Sequence, residues 1–108
     1  MADLSRFFNN YPLIPVVAQD HATNEVLMLA FTNAEALEKT LETGDAWFWS
    51  RSRRCLWHKG ETSGNVLRVV SIFASCCDDS LLYRVEPAGP ACHTGAVSCF
   101  FNEIEPEG

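Results

Sequence analysis

The sequence predicts an α+β domain, a twisted and mostly antiparallel sheet with one main helix. Three observations carry that expectation. Short apolar runs recur along the chain, each bounded by Pro, Gly or polar clusters. A single well-marked helix signal stands among them. The 108 residues suffice for one modest core and not for two, so residues 1–108 read as a single domain.

Ile14 to Gln19 and Val26 to Phe31 are apolar runs separated by the polar stretch DHATNE, which predicts a hairpin. Thr32-Asn33-Ala34-Glu35 then offers a capping box, with the Thr32 hydroxyl at the N-cap and Glu35 reaching back. Ala34, Leu37 and Leu41 form an apolar stripe at helical spacing, and Gly44 is placed to end the helix. Ala46 to Ser50 alternates around Trp47, Phe48 and Trp49 and reads as a strand. Residues 51 to 65 read as a loop rich in Arg, Gly and Ser. Leu67 to Ala74 and Leu81 to Glu86 are two further strands. The stretch PAGPACHTG is irregular, and Val97 to Phe101 reads as a short last strand. The sequence contains no internal repeat and no low-complexity run.

Composition bounds the function. The hydrophobic fraction of 47% is that of a folded globular chain. No apolar run approaches the roughly 20 residues that span a bilayer. The N-terminus lacks a basic, apolar leader, so a cytoplasmic protein is expected. The net charge of −6 argues against general nucleic-acid binding, which needs a basic surface. Arg51, Arg53, Arg54, Lys59 and Arg68 nevertheless cluster in a segment whose only acid is Glu61. One basic segment in an acidic chain suits a small anionic ligand better than a duplex.

The thiols carry the strongest chemical signal. Cys76, Cys92 and Cys99 lie in SCCDDSLL, ACHTG and SCFF. Reduced thiols spaced through a small domain serve as metal ligands or nucleophiles, and the bland alternative is that they are small buried hydrophobes. Three sulfur ligands leave a fourth position on zinc open, as in catalytic sites. Cys76 and Cys77 are adjacent, so on an extended strand they point to opposite faces and only one joins the site; the pattern itself prefers neither. His93, beside Cys92, is suited to moving protons, to ligation or to the surface; His58 is less constrained, and His21 sits in a polar turn. In RSRRCLWHKGETSGN, the guanidinium forks of Arg51 and Arg53, the Lys59 ammonium, the Thr62 and Ser63 hydroxyls and the backbone at Gly64 have the composition of an anion-binding loop. The order of a P-loop is absent.

Taken together, PVVAQD, EVLMLAF, LEKTLETG, SRSR, LWHKGETSGN, RVV and CHTG-x-x-SCF resemble the phosphoribosyl-AMP cyclohydrolase family of histidine biosynthesis. The likeness runs from about Ile14 to Phe101. It implies hydrolytic opening of the adenine ring of phosphoribosyl-AMP between N1 and C6. It also implies an intertwined homodimer whose zinc is bound by cysteines matching Cys76, Cys92 and Cys99, drawn from both subunits. Zinc would activate water, His93 would transfer protons, and the basic loop would hold the substrate phosphates. No nucleic-acid or membrane partner is expected.

The chain departs from the family in one place. The family motif Asp-Cys-Asp-x-Asp, whose carboxylates hold magnesium, reads here Ser75-Cys76-Cys77-Asp78-Asp79. Only Asp79 keeps its acid, and Cys77 is a poor ligand for a hard cation. On a strand, residues 75, 77 and 79 would share one face and Asp78 would point to the other. The expected function is therefore a zinc-dependent cyclohydrolase with a weakened, moved or dispensed-with magnesium site. The alternative is a paralogue that binds zinc or a nucleotide without turnover. A thiol redox protein using Cys76 and Cys77 is disfavoured by the strain of a vicinal disulfide.

Overall fold

The computed structural model describes residues 4–106. A short helix α1 (Ser5–Phe8) leads into strands β1 (Ile14–Asp20) and β2 (Val26–Thr32). Helix α2 (Ala34–Thr43) follows, then β3 (Trp47–Ser50), β4 (Cys55–His58), β5 (Leu67–Ala74) and β6 (Leu81–Pro87). The six strands form one sheet in the order β4-β3-β2-β1-β6-β5. Four neighbouring pairs are antiparallel, while β1 and β6 are parallel, so the sheet is mixed. No helix among the described residues is long and apolar enough to cross a membrane.

The sheet curls until its edge strand returns to the start of β3. Asp45 bridges Arg68, the Ala46 amide donates to the Leu67 carbonyl at 2.8 Å, and the Val69 amide donates to Gly44 at 2.7 Å. The curl encloses Ile14, Val16, Phe48, Leu67, Tyr83 and Val85, each almost fully buried. Alternation explains this on β6, where Leu81, Tyr83 and Val85 face inward and Leu82 and Arg84 do not. On β2, by contrast, the adjacent Leu27 and Met28 are both buried. The register shifts between Ala18 and Gln19, which pair with Met28 and Val26, leaving Leu27 as the extra residue of a bulge.

Several expectations from the sequence need correction. The N-cap of α2 is Asn33, whose Oδ1 accepts from the Ala36 amide at 2.8 Å. Thr32 instead ends β2 in the core, so the capping box does not form. The buried stripe of α2 is Ala36, Leu37 and Thr40; Ala34 and Leu41 are exposed. The Thr40 hydroxyl fits there because it donates to the Ala36 carbonyl at 3.0 Å and accepts from the Trp47 amide at 3.0 Å. Gly44 ends the helix as expected, at φ 80. Cys55 to His58, read as loop, pairs with β3 as a hairpin. Val97 to Phe101, read as a strand, is irregular and docks by single bonds on β2.

Tyr83 packs against Phe48 at 6.0 Å between ring centroids, with its hydroxyl buried near Thr32 and Thr40. Burial pushes its pKa from 10 up to about 12, partly opposed by those two hydroxyls. The neutral phenol is thus favoured in the folded state. Its contribution is complete below pH 10 and is lost as pH rises from 10 through about 12. Tyr83→Phe should therefore flatten the alkaline limb of the stability curve, read by urea unfolding on either side of that window.

Candidate active site

Two loops at one end of the curled sheet form the site. The first leaves β4 at His58. The Lys59 amide donates to the Ala46 carbonyl at 3.2 Å, and the Gly64 amide donates to Gly60 at 2.8 Å. Gly60 has φ +84, and a Cβ there would lie 2.3 Å from the Asn65 backbone carbon, so only glycine fits. The second loop leaves β6 and folds on itself. Ala91 donates to Val97, Cys92 to Ala96, and Gly95 to Cys92, each at 3.0 to 3.1 Å. Asn65 joins the two loops, because its Oδ1 fills the space beside Gly89 that a Cβ would occupy.

Between the loops lies a cavity of about 380 Å³. Its lining includes Arg53, Lys59, Thr62, Ser63, Cys92 and His93, six residues expected from the sequence. Lys59 is only 8% exposed, with Nζ 5.7 Å from the Trp57 ring centroid. Among the described residues it has no carboxylate partner. An ammonium held without a counter-ion at a cavity wall is suited to an anionic ligand.

Two thiols, Cys92 and Cys99, lie near each other at this end. The Thr94 hydroxyl donates to Cys92 Sγ at 3.1 Å, and that bond is the main cause lowering the Cys92 pKa. Cys99 stands close enough to Cys92 for each to shift the other's pKa, and the Lys59 charge acts to lower both. Burial, and then the neighbouring Cys92, push the Cys99 pKa up. Cys99 is fixed to β2: its amide donates to the Leu27 carbonyl at 2.7 Å. The buried Ser98 hydroxyl donates to the Val26 carbonyl at 2.6 Å. These bonds fall at the bulge, where the ladder is interrupted. Thr94 and Ser98 were not singled out in the sequence, although each stands within two residues of a thiol in the CHTG and SCF blocks.

Cys76 lies elsewhere. Residues 75 to 80 form the turn between β5 and β6, so the strand geometry considered for residues 75 to 79 does not apply. Cys76 and Cys77 therefore do not face opposite ways; their sulfurs are 3.9 Å apart. Asp78 takes φ 54 in the turn, and its carboxylate sits 3.7 Å from Arg6. The intervening strand β6 separates this turn from the Cys92 loop by roughly 20 Å, at about 3.3 Å per residue. Among the described residues, no three His, Cys, Asp or Glu side chains gather where they could hold a metal. Cys92 and Cys99 suit a soft cation, but one chain supplies only these two of the three expected sulfurs. The turn does not suit magnesium. Asp79 Oδ1 already accepts the Ser75 hydroxyl at 2.8 Å, and the neighbouring donors are thiols.

Arg51 lines an adjoining, larger cleft of about 640 Å³ with Leu29, Phe31 and Trp49, its guanidinium 3.9 Å over the Phe31 ring. That cleft contains no thiol, but Arg53 and Trp57 border both spaces. Gly64 does not line the smaller cavity; at φ +81 it closes the first loop. His58 does line it, its ring stacked on Trp47 at 4.6 Å and its Nε2 3.5 Å from Asp45.

Comparison with known proteins identifies the family. The family model "Phosphoribosyl-AMP cyclohydrolase" matches residues 28–101. A phosphoribosyl-AMP cyclohydrolase of Pelotomaculum thermopropionicum is 54% identical over 101 residues, covering 94% of this chain and 78% of the relative. One from Archaeoglobus fulgidus is 59% identical, covering 91% of each. The histidine biosynthesis bifunctional protein HisIE of Bacillus subtilis is 59% identical over 89% of this chain, which spans 46% of that longer protein. These matches make the chain a hydrolase of amino-acid biosynthesis. More narrowly, it belongs to the phosphoribosyl-AMP cyclohydrolase family, enzymes of histidine biosynthesis.

Gly60→Ala should destabilise the protein by at least about 1 kcal/mol, since it combines a left-handed φ with a backbone collision. Urea denaturation measures the loss, and Gly64→Ala, where a Cβ meets nothing within 4 Å, should cost less.

Proposed function

We propose that the chain opens the adenine ring of phosphoribosyl-AMP between N1 and C6 at the cavity between the two loops, with zinc as its cofactor. The observation that carries this reading is Cys92 on the wall of the same cavity as Lys59, a buried cation with no carboxylate partner among the described residues. Cys92 and Cys99 of one chain, with Cys76 of a second, would hold the metal. Zinc in such a three-sulfur site supplies Lewis acidity and activates water near neutral pH.

The chain's own residues do the rest. Lys59, Arg53, Thr62 and Ser63 bind the phosphates, with Arg51 reaching from the adjoining cleft. Phosphate charge compensates the buried ammonium, so binding orients the substrate as well as holding it. His93 sits next to Cys92 on the cavity wall and delivers a proton to ring N1 as the bond to C6 breaks. Thr94 donates to Cys92 Sγ and so favours its thiolate, and Ser98 holds Cys99 against β2.

The homodimer is supported by two features. A turn carrying one expected ligand lies a strand's length from the other two. The outer face of the sheet also leaves an apolar concavity of about 440 Å³ lined by Pro15, Val17, Leu29, Phe73 and Leu82, with Phe73 55% exposed. The ends of the Cys76 turn, Ser75 and Ser80, line the same concavity, so a second copy seated there would lie next to that turn.

Turnover of phosphoribosyl-AMP by zinc-loaded protein, with metal content measured in parallel, tests the activity; no turnover at any magnesium concentration overturns it. Cys92→Ser and Cys76→Ser should each abolish turnover and zinc retention. Co-expressed, the two variants should regain part of both, because a mixed dimer contains one complete site. Lys59→Gln should raise KM at least tenfold while leaving zinc content unchanged, measured by steady-state kinetics with elemental analysis.

A further inference from the structure

We propose that Ser75 closes the turn that presents Cys76, taking the place of a divalent cation, so that the protein presents this ligand without magnesium. The proposal rests on the reading of Cys76 as a zinc ligand.

The geometry is specific to this turn. The Ser75 hydroxyl donates to Asp79 Oδ1 at 2.8 Å. Ser75 Oγ in turn accepts from the Asp79 amide and the Ser80 amide, both at 3.2 Å. One proton and two lone pairs are thereby all used, which is the full capacity of a hydroxyl. Backbone bonds complete the ring, with the Ser75 amide donating to the Ser80 carbonyl and the Asp78 amide to the Ser75 carbonyl, both at 3.0 Å. Cys76 and Cys77 project from this ring into solvent.

A turn of three carboxylates needs a cation to cancel its repulsion. Here Asp79 is held by a neutral donor, and positions 75 and 77 bring no charge. The only other acid, Asp78, faces Arg6. An entering magnesium ion would find Asp79 Oδ1 already engaged by Ser75 and one carboxylate at this end of the turn in place of three. Ser75 is thus a positioning residue, acting through Cys76.

The test measures zinc affinity by competition with a chromophoric chelator, and amide exchange at Asp79 and Ser80, each with and without millimolar magnesium. In the unaltered protein neither quantity should respond to magnesium. Ser75→Ala should accelerate exchange at both amides and weaken zinc binding about tenfold. Ser75→Thr should restore both, since it keeps the hydroxyl. Ser75→Asp with Cys77→Asp should make exchange at these amides magnesium-dependent. Magnesium protection of the amides in the unaltered protein would overturn the proposal, as would unchanged zinc affinity in Ser75→Ala. Cys76→Ser separates the two readings. If it leaves zinc affinity intact, the ligand assignment fails and this proposal with it; if it weakens zinc while Ser75→Ala does not, only this proposal fails.

Discussion

The return of β5 to the segment before β3 is the constraint on which the rest of the structure depends. Three residues, Gly44 to Ala46, receive the edge strand through the bonds to Leu67 and Val69. Without them the six strands would form an open ribbon with Phe48 and Tyr83 on a solvated face. Burying two aromatic side chains of that size is worth several kcal/mol, far more than the hydrogen bonds that make the closure. Those bonds therefore set the geometry while burial supplies the drive. Ala46 serves twice, because its carbonyl also anchors Lys59. The buried cation is placed by the same contact that closes the core.

A second constraint orders the thiols. The bulge at Leu27 interrupts the ladder at the start of β2, and β3 joins β2 only near its other end, at Phe31 and Trp49. Carbonyls at Val26 and Leu27 are left for Ser98 and Cys99. An irregular segment can thus be held as firmly as a strand at the two residues that matter. The parallel pairing of β1 with β6 has the opposite effect on Cys76. It fixes β6 along the sheet and so keeps the β5–β6 turn at the far end from the cavity.

Much of the fold was legible in the sequence, and the failures have physical reasons. The β1–β2 hairpin, β5 and β6 could be read because each is a short apolar run bounded by polar or turn-forming residues. Strand β4 is four residues long and follows two adjacent arginines, so composition pointed to a loop. Val97, Phe100 and Phe101 are apolar but exposed, and nothing local distinguishes an apolar strand from apolar residues on an irregular surface segment. Thr32 and Asn33 are both good N-caps. Depth decided between them, since Thr32 is drawn into the core beside Tyr83. For the site, the composition of the two loops indicated the cavity lining well. The distance between Cys76 and Cys92 could not be read, because it depends on the pairing direction of β6.

Asn65 gives the cavity a mechanical property. Its backbone fills the hollow at Gly60 and its side chain the hollow at Gly89, while Val66 next to it accepts from the Ala88 amide at 2.9 Å. Two loops that are distant in sequence are thereby locked like the halves of a vice. Neither can swing away from a ligand without carrying the other. The wall that carries Lys59 and the wall that carries Cys92 are thereby tied to each other across the cavity by one residue, Asn65.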